Sequence, residues 1–412
     1  MSTSIQLHKS PVVTGTALQL SSSKSISNRA LMLNALSGNP TTINNLSVAR
    51  DTKLMLALVS SNDATIDVMD AGTTMRFLTA YFSVTGKNKI MTGTSRMKER
   101  PIALLVDALR AIGVTIDYLE REGFPPVETK GFAQQKTDVI AIPSDVSSQY
   151  ISALMMIAPR LPKGLTIQLS GKIGSVPYIQ MTAALMKEFG VDSDLDFEKQ
   201  VITVKPGQYR STQYTVEADW SSSSYWFGFT ALAHDARIIL PNVSKKSLQG
   251  DRVITDVMDK AGVRSEFLKD GSLLLTKKES AKHLYWDFSN CPDLAQTVLP
   301  VCALKEITGE FVGLESLRIK ETDRIAALQA QLAKVGATLT EPEKGKWHLT
   351  PGAVPTSGKV FIDTYHDHRM AMGFAPWATL MDVVIEAPEV VNKSYPGFWD
   401  DVRSIGIKTD AQ

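Results

Sequence analysis

Val257-Met258-Asp259-Lys260-Ala261-Gly262-Val263-Arg264-Ser265-Glu266-Phe267 reads as the end of a helix, a glycine, and the start of an alternating strand. Gly262 fits the left-handed residue that closes a last helical turn. Beyond it, residues 263–268 and 273–276 form a hairpin about Asp270-Gly271. The pattern recurs: segments 108–117, 185–195 and 331–341 repeat it around Gly113, Gly190 and Gly336, and Gly406 continues the series. The glycines are spaced by roughly 70 to 77 residues, the mark of one supersecondary unit used repeatedly. Asn62 offers a sixth, degenerate copy, because Asn tolerates the same backbone conformation.

The helices of the unit are amphipathic. Ile102, Leu105, Leu109 and Ile112 share one face, as do Ile325, Leu328, Leu332 and Val335. A second hairpin is expected over 337–340 and 347–350, about Lys344-Gly345. Each helix needs a sheet to cover, so the units pack into an α/β (α+β) fold. Six units divide naturally into two lobes of three.

Composition agrees with such a fold. The 412 residues suffice for two or three domains. Apolar residues make up 43% and charged ones 21%, as in ordinary globular chains. The net charge of +1 gives no global field for nucleic acid or a membrane surface. Cys291 and Cys302 form no CxxC pair and read as two buried thiols in a reducing compartment. The N-terminal Met1-Ser2-Thr3-Ser4-Ile5-Gln6 lacks the form of a signal peptide. Residues 370–387 are broken by Pro376, Asp382 and Glu386 and are too polar to span a bilayer. The expected location is the cytoplasm.

Several polar clusters stand where a helix begins, which is where backbone N–H groups and a partial positive charge receive anions. Lys24-Ser25-Ile26-Ser27-Asn28-Arg29 precedes an apolar run, and Asp70-Ala71-Gly72-Thr73-Thr74-Met75-Arg76 opens another, with Gly72 allowing close approach to the backbone. Ser147-Ser148-Gln149 offers two adjacent hydroxyls, and Ser175-Val176-Pro177-Tyr178 repeats the idea. In Arg318-Ile319-Lys320-Glu321-Thr322-Asp323-Arg324, Lys320 and Arg324 are four apart and are expected to share a helix face. His366-Asp367-His368-Arg369 lacks a third metal ligand at a recognisable spacing and reads as a catalytic or anion site. Taken singly, each cluster could be a capped helix with solvated charges. Together, in a chain of almost no net charge, they favour a compact polyanionic metabolite over nucleic acid. No P-loop is present.

These residues resemble the EPSP synthase (3-phosphoshikimate 1-carboxyvinyltransferase) family. The motifs are those at Lys24–Arg29, Ala71–Arg76 and Ser147–Gln149, with Arg96-Met97-Lys98-Glu99-Arg100-Pro101, Ser247-Leu248-Gln249-Gly250-Asp251, Lys320-Glu321-Thr322-Asp323-Arg324 and Asp367-His368-Arg369-Met370-Ala371-Met372. They stand in the family's order along nearly the whole chain. The resemblance implies a two-lobed inside-out α/β barrel of six βαβαββ units, three per lobe, with the active site in the cleft. Residues 1–20 and 217–412 would form the C-terminal lobe, on the phosphoenolpyruvate side. Residues 21–216 would form the N-terminal lobe, on the shikimate 3-phosphate side.

The resemblance also implies the site. Lys24, Ser25, Arg29, Ser147, Ser148, Gln149, Ser175, Tyr178, Asp293, Ser316 and Lys320 would hold shikimate 3-phosphate, with Arg29 gripping its carboxylate through a two-pronged charged contact. Lys24, Gly72, Arg100, Gln149, Arg324, Arg369 and Lys393 would hold phosphoenolpyruvate. The implied reaction is addition followed by elimination, which needs an acid and a base that exchange roles. Asp293 is the candidate base for the 5-hydroxyl; Glu321, Lys24 and His368 are candidates for the C3 proton and the leaving phosphate. No metal or organic cofactor is implied, and the expected state is a monomer without nucleic-acid or membrane partners.

The chain departs from the family pattern at four places. Ser22-Ser23 stands where Pro-Gly is usual, Asp70 for Asn, Phe77 for Pro and Ser316 for Asn. The Asp70 charge is expected to pair, with Arg76 the nearest candidate. Gly72 leaves the room that glyphosate needs, so inhibition competitive with phosphoenolpyruvate is expected. The alternatives are the related transferase acting on UDP-N-acetylglucosamine, which usually carries Lys-Asn at the first motif and a mobile-loop Cys, and a non-catalytic anion-binding relative. Ser25 after Lys24 and the absence of any Cys before position 291 weigh against the first. Asp293, Glu321 and His368 weigh against the second.

Overall fold

The helix Ile254–Lys260 ends at Gly262, whose φ is 95°. A Cβ there would lie 2.9 Å from the Lys278 carbonyl oxygen, so only glycine fits both the conformation and the space. This is a computed structural model, and it describes residues 4–143, 147–171 and 173–412. Residues 1–3, which open the N-terminal stretch examined for a signal peptide, lie outside the described residues. Strands Val263–Phe267 and Leu273–Lys277 form the expected hairpin, with Val263 opposite Lys277 and Phe267 opposite Leu273. Gly113, Gly190, Gly336 and Gly406 also have positive φ. Asn62 does not. In that copy the helix Arg50–Val59 is followed directly by the strand Thr65–Asp67 that begins the next unit, so there is no intervening hairpin to enter. Its sheet is correspondingly small, two parallel strands Ile43–Asn44 and Tyr214–Thr215.

The unit 283–350 shows the complete pattern. His283–Asp287 runs parallel to Thr308–Val312, with the helix Ala295–Leu304 in the crossover. The helix Arg324–Ala333 then leads to Thr338–Glu343 and Lys346–Thr350, and the last strand joins the sheet antiparallel to Thr308–Val312. A parallel pair requires such a crossover, whereas the hairpin does not. The strand order is the same in the sheets that begin with Thr65–Asp67 and Val139–Pro143.

The chain forms two units. One comprises the segment up to Ser23, Val48–Arg50 and Glu217–Gln412; the other comprises Lys24–Ser47 and Asp51–Val216. Each has its own apolar core. In the first unit the helices Ala295–Leu304 and His368–Phe374 are buried along their whole length, and Trp220–Leu232 is buried except at Ser221. A helix apolar on all sides belongs inside, and the sheets wrap it with alternating strands such as Asp235–Leu240, whose Ala236, Ile238 and Leu240 are buried. In the second unit the helices Lys24–Leu36, Gly72–Val84, Ser148–Ile157 and Val176–Glu188 supply the interior. Where the chain leaves the first unit and returns, Ser22 bridges Ala218 antiparallel, and the Ser23 amide donates to the Glu217 carbonyl at 2.8 Å.

The strand Ser4–Leu7 lies between Val383–Glu386 and Thr409–Ala411, antiparallel to both. No helix among the described residues is long and apolar enough to cross a membrane.

Candidate active site

In the second unit, four helices meet at Arg29. Its Nε donates to Thr182 Oγ1 at 2.7 Å, Nη2 to Ser152 Oγ at 3.0 Å and Nη1 to the Ser25 carbonyl at 3.0 Å. The Phe77 and Tyr178 rings lie 5.4 and 5.6 Å from the guanidinium. Arg29 is 2% exposed, and no carboxylate pairs with it among the described residues. Burial lowers its pKa to about 10, against a smaller opposing influence of Tyr178. A buried cation with only neutral partners is expensive unless an anion arrives. Phe77, one of the departures from the family pattern, packs against this guanidinium.

The starts of the same helices carry the other polar residues singled out in the sequence. Ser147 caps Ser148–Ile157, its Oγ accepting from the Gln149 amide at 3.3 Å, and Ser148 is buried. Gln149 Nε2 donates to Thr73 Oγ1 at 3.1 Å, linking that helix to the start of Gly72–Val84. Ser175 has φ 55° immediately before Val176–Glu188, an uncommon conformation for a residue with a side chain. Lys24 opens the first helix, and its Nζ lies 3.3 Å from Asp51 Oδ2.

Two guanidinium groups stand close to the bare backbone of Gly72. A Cβ on Gly72 would lie 2.6 Å from Arg100 Nη2 and 2.8 Å from Arg76 Nη1. The bare backbone therefore makes room for guanidinium groups. Arg76 donates to the Gly72 and Pro101 carbonyls at 2.9 and 3.2 Å and lies over Tyr150. It does not turn to Asp70, so the expected Asp70–Arg76 pair is not formed; the two carbonyls occupy its Nη atoms instead. Arg100 Nη1 reaches the Asp70 carbonyl at 3.4 Å.

The first unit holds a charged network centred on Arg324, 2% exposed. Its Nε donates to Asp367 Oδ2 at 2.7 Å, Nη1 to Asp293 Oδ1 at 2.8 Å and Nη2 to Glu321 Oε2 at 3.0 Å. Arg369 Nη2 donates to Asp293 Oδ2 at 2.9 Å and Nη1 to the Tyr225 hydroxyl at 3.2 Å. Lys393 Nζ lies 3.8 Å from Glu321 Oε1, and His368 Nδ1 lies 3.4 Å from Asp367 Oδ1. Burial pushes the Asp293 carboxyl up, but Arg369, Lys320 and Arg324 outweigh it and hold it well below the usual range. Ser316 lies half-buried in the 3-10 turn Glu315–Ile319 and makes no hydrogen bond to this network among the described residues.

One local expectation is corrected. Lys320 and Arg324 do not share a helix face, because Asp323 accepts from the Ile325 and Ala326 amides and starts the helix at Arg324. Lys320 lies outside it, following the separate turn.

The structure also adds residues that sequence reasoning did not single out: Asp51, Thr73, Ser152 and Thr182 in the second unit, Tyr225 and the role of Asp367 in the first. Ser152 and Thr182 carried a usable signal, since a hydroxyl inside an apolar helix needs a partner. Asp51 carried none.

The family described as EPSP synthase (3-phosphoshikimate 1-carboxyvinyltransferase) is matched over residues 9–62 and 57–402. A 3-phosphoshikimate 1-carboxyvinyltransferase from Bacteroides fragilis strain YCH46 is 43% identical over 391 residues, covering 95% of each chain. One from Vibrio atlanticus strain LGP32 is 33% identical over 419 residues, covering 95% of this chain and 96% of that one. The EPSP synthase structure from Acinetobacter baumannii superposes with a TM-score of 0.78 at 19% identity, over 99% of this chain and 100% of that one, which is evidence for the fold. With a family match across most of its length and relatives this similar, the chain belongs to the EPSP synthase family.

Proposed function

We propose that the Arg29 cluster and the Arg324 network serve the two substrates of one enolpyruvyl transfer. As a 3-phosphoshikimate 1-carboxyvinyltransferase, the chain transfers the enolpyruvyl group of phosphoenolpyruvate to the 5-hydroxyl of shikimate 3-phosphate and releases phosphate. The observation that carries the residue-level reading is Arg29, a buried guanidinium held, among the described residues, by hydroxyls, a carbonyl and rings. It suits the shikimate carboxylate, with Ser25, Tyr178 and Lys24 beside it in the sequence reading and Ser147, Ser148, Gln149 and Ser175 assigned to the phosphate. Lobe 21–216 is read as the shikimate 3-phosphate side. Lobe 217–412 with residues 1–20 is read as the phosphoenolpyruvate side, where Arg324, Arg369 and Lys393 receive its charges. Gly72, Arg100 and Gln149 are also assigned to phosphoenolpyruvate, and Asp293, Ser316 and Lys320 to shikimate 3-phosphate.

The resting network also explains when the base becomes active. Asp293 is a poor base while Arg324 and Arg369 donate to it. An anionic substrate that takes those donors returns the carboxyl toward its ordinary range. Asp293 then accepts the 5-hydroxyl proton as oxygen bonds to C2, and C3 gains a proton from the acid. In the second step phosphate leaves C2 as C3 loses a proton. Glu321, Lys24 and His368 are the acid–base candidates, and Glu321 is held near Arg324 and Lys393. The reading extends to a monomer working in the cytoplasm on small molecules alone, without metal or cofactor.

The direct test is phosphate release from purified protein given both substrates, and each alone. Release with both and not with either alone is expected. Turnover of UDP-N-acetylglucosamine with none of shikimate 3-phosphate would favour the other transferase. Binding without any release would favour a non-catalytic relative.

A further inference from the structure

One buried carboxyl in the first unit has no part in the reaction as described. Asp251 lies in the 3-10 turn Gly250–Val253 and is 2% exposed. The Ser221 hydroxyl donates to its Oδ2, while its Oδ1 is buried and accepts no hydrogen bond. Ser221 and Tyr225 are four apart on the helix Trp220–Leu232, and so share a face. Asp251 docks on one turn of that face, and Arg369 docks on the next through the Tyr225 hydroxyl.

The charges around it explain why this carboxyl differs from its neighbours. Asp293, Glu321 and Asp367 each accept from Arg324, and Asp293 also accepts from Arg369. Among the described residues, Asp251 has a hydroxyl and no cation in contact. The charged groups facing it are Asp293, Arg369 and Asp219, two of them of its own sign, and Cys291 lies close by. Phosphoenolpyruvate would bring at least two further negative charges to arginines already neutralised by carboxylates. A proton on one carboxyl offsets part of that excess, and the carboxyl without a cation surrenders least by taking it.

We propose that Asp251 is a positioning residue for phosphoenolpyruvate, taking up a proton from solvent when the substrate binds so that it stands as a neutral acid behind Arg369 in the complex. The inference rests on the reading that Arg369 receives phosphoenolpyruvate. Burial first, and then the Asp293 charge, raise the Asp251 carboxyl to about 7, with Arg369 and the Ser221 hydroxyl opposing. At acid pH the carboxyl therefore already carries its proton, and above neutrality the proton must be drawn from solvent at rising cost.

The test is the KM for phosphoenolpyruvate across pH at saturating shikimate 3-phosphate, in the wild type, Asp251→Asn, Ser221→Ala and Arg369→Gln. The wild-type KM is expected to rise about tenfold between roughly pH 6 and pH 8, the rise that one linked proton gives. Relative to the wild type, which cancels titration of the substrates themselves, Asp251→Asn removes this rise. Ser221→Ala takes away a donor to the anion and moves the inflection to higher pH. It is also the decisive variant if Asp251→Asn does not fold. A profile in Asp251→Asn that parallels the wild type, or an unmoved inflection in Ser221→Ala, overturns the proposal. Arg369→Gln should raise the KM at every pH. If it does not, the underlying substrate reading fails and the proposal with it; if it does while the other profiles stay wild-type, only the Asp251 inference is lost.

Discussion

Arg29 and Arg324 are both buried arginines, one in each unit, and their surroundings are opposite. Arg29 has hydroxyls, a carbonyl and two aromatic rings, and burial lowers its pKa to about 10. Arg324 has three carboxylates; burial lowers its pKa too, but Asp367, Glu321 and Asp293 reverse the effect and raise it. The first is a cation kept short of a counter-ion, and the second is the hub of a neutralised network. On the proposed reading, one captures an anion, while the other holds the candidate reacting carboxylates in place until an anion competes for their partners.

The comparison is broken most directly by exchanging the hub. Arg324→Met leaves Asp293, Glu321 and Asp367 without their shared donor and should destabilise the protein by about 3–5 kcal/mol, the cost of stranding buried charge. Thermal or urea unfolding measures it; a variant as stable as the wild type would mean the network is solvated and not a scaffold. Asp293→Asn is expected to lower kcat by about a thousandfold, in the range of a lost general base, with shikimate 3-phosphate binding retained. Phosphate release and direct binding separate the two effects, and equal turnover removes Asp293 as the base. Arg29→Gln should raise the KM for shikimate 3-phosphate about a hundredfold through loss of charge-assisted contacts. Its stability should be unchanged or higher, because an uncompensated charge leaves the core. A loss of stability matching that of Arg324→Met would erase the contrast. The smallest effect is at Gly72, where the added methyl of Gly72→Ala meets the Arg100 guanidinium. Displacing one charged donor should raise the KM for phosphoenolpyruvate about tenfold. Glyphosate should compete with phosphoenolpyruvate in the wild type and compete less well in this variant; unchanged turnover at millimolar glyphosate in the wild type would remove that expectation.

What could be read beforehand follows sequence distance. Gly262 and its four counterparts carry a local demand, a positive φ between a helix and a strand, and so can be recognised one residue at a time. The helix start at Ser147 is legible for the same reason. Asn62 misleads because tolerance of a conformation does not require it. The contacts that define the two arginines are long-range. Arg29 meets Ser152 and Thr182, and Arg324 meets Asp367, through packing of helices far apart in the chain. Motif resemblance can mark Arg29 and Arg324 as site residues, but it cannot tell that one is paired and the other is not.

The strand Ser4–Leu7 has a consequence for how the chain is made. Its partners, Val383–Glu386 and Thr409–Ala411, leave the ribosome roughly 380 to 400 residues after it. At ~5–20 residues per second the nascent strand waits roughly 20 to 80 s for its neighbours. Meanwhile residues 24–216 have emerged nearly entire and can fold behind the waiting segment. Translation order therefore favours finishing the embedded unit before the surrounding one can close, and a tag fused at the N-terminus would tether cargo to the strand whose pairing comes last.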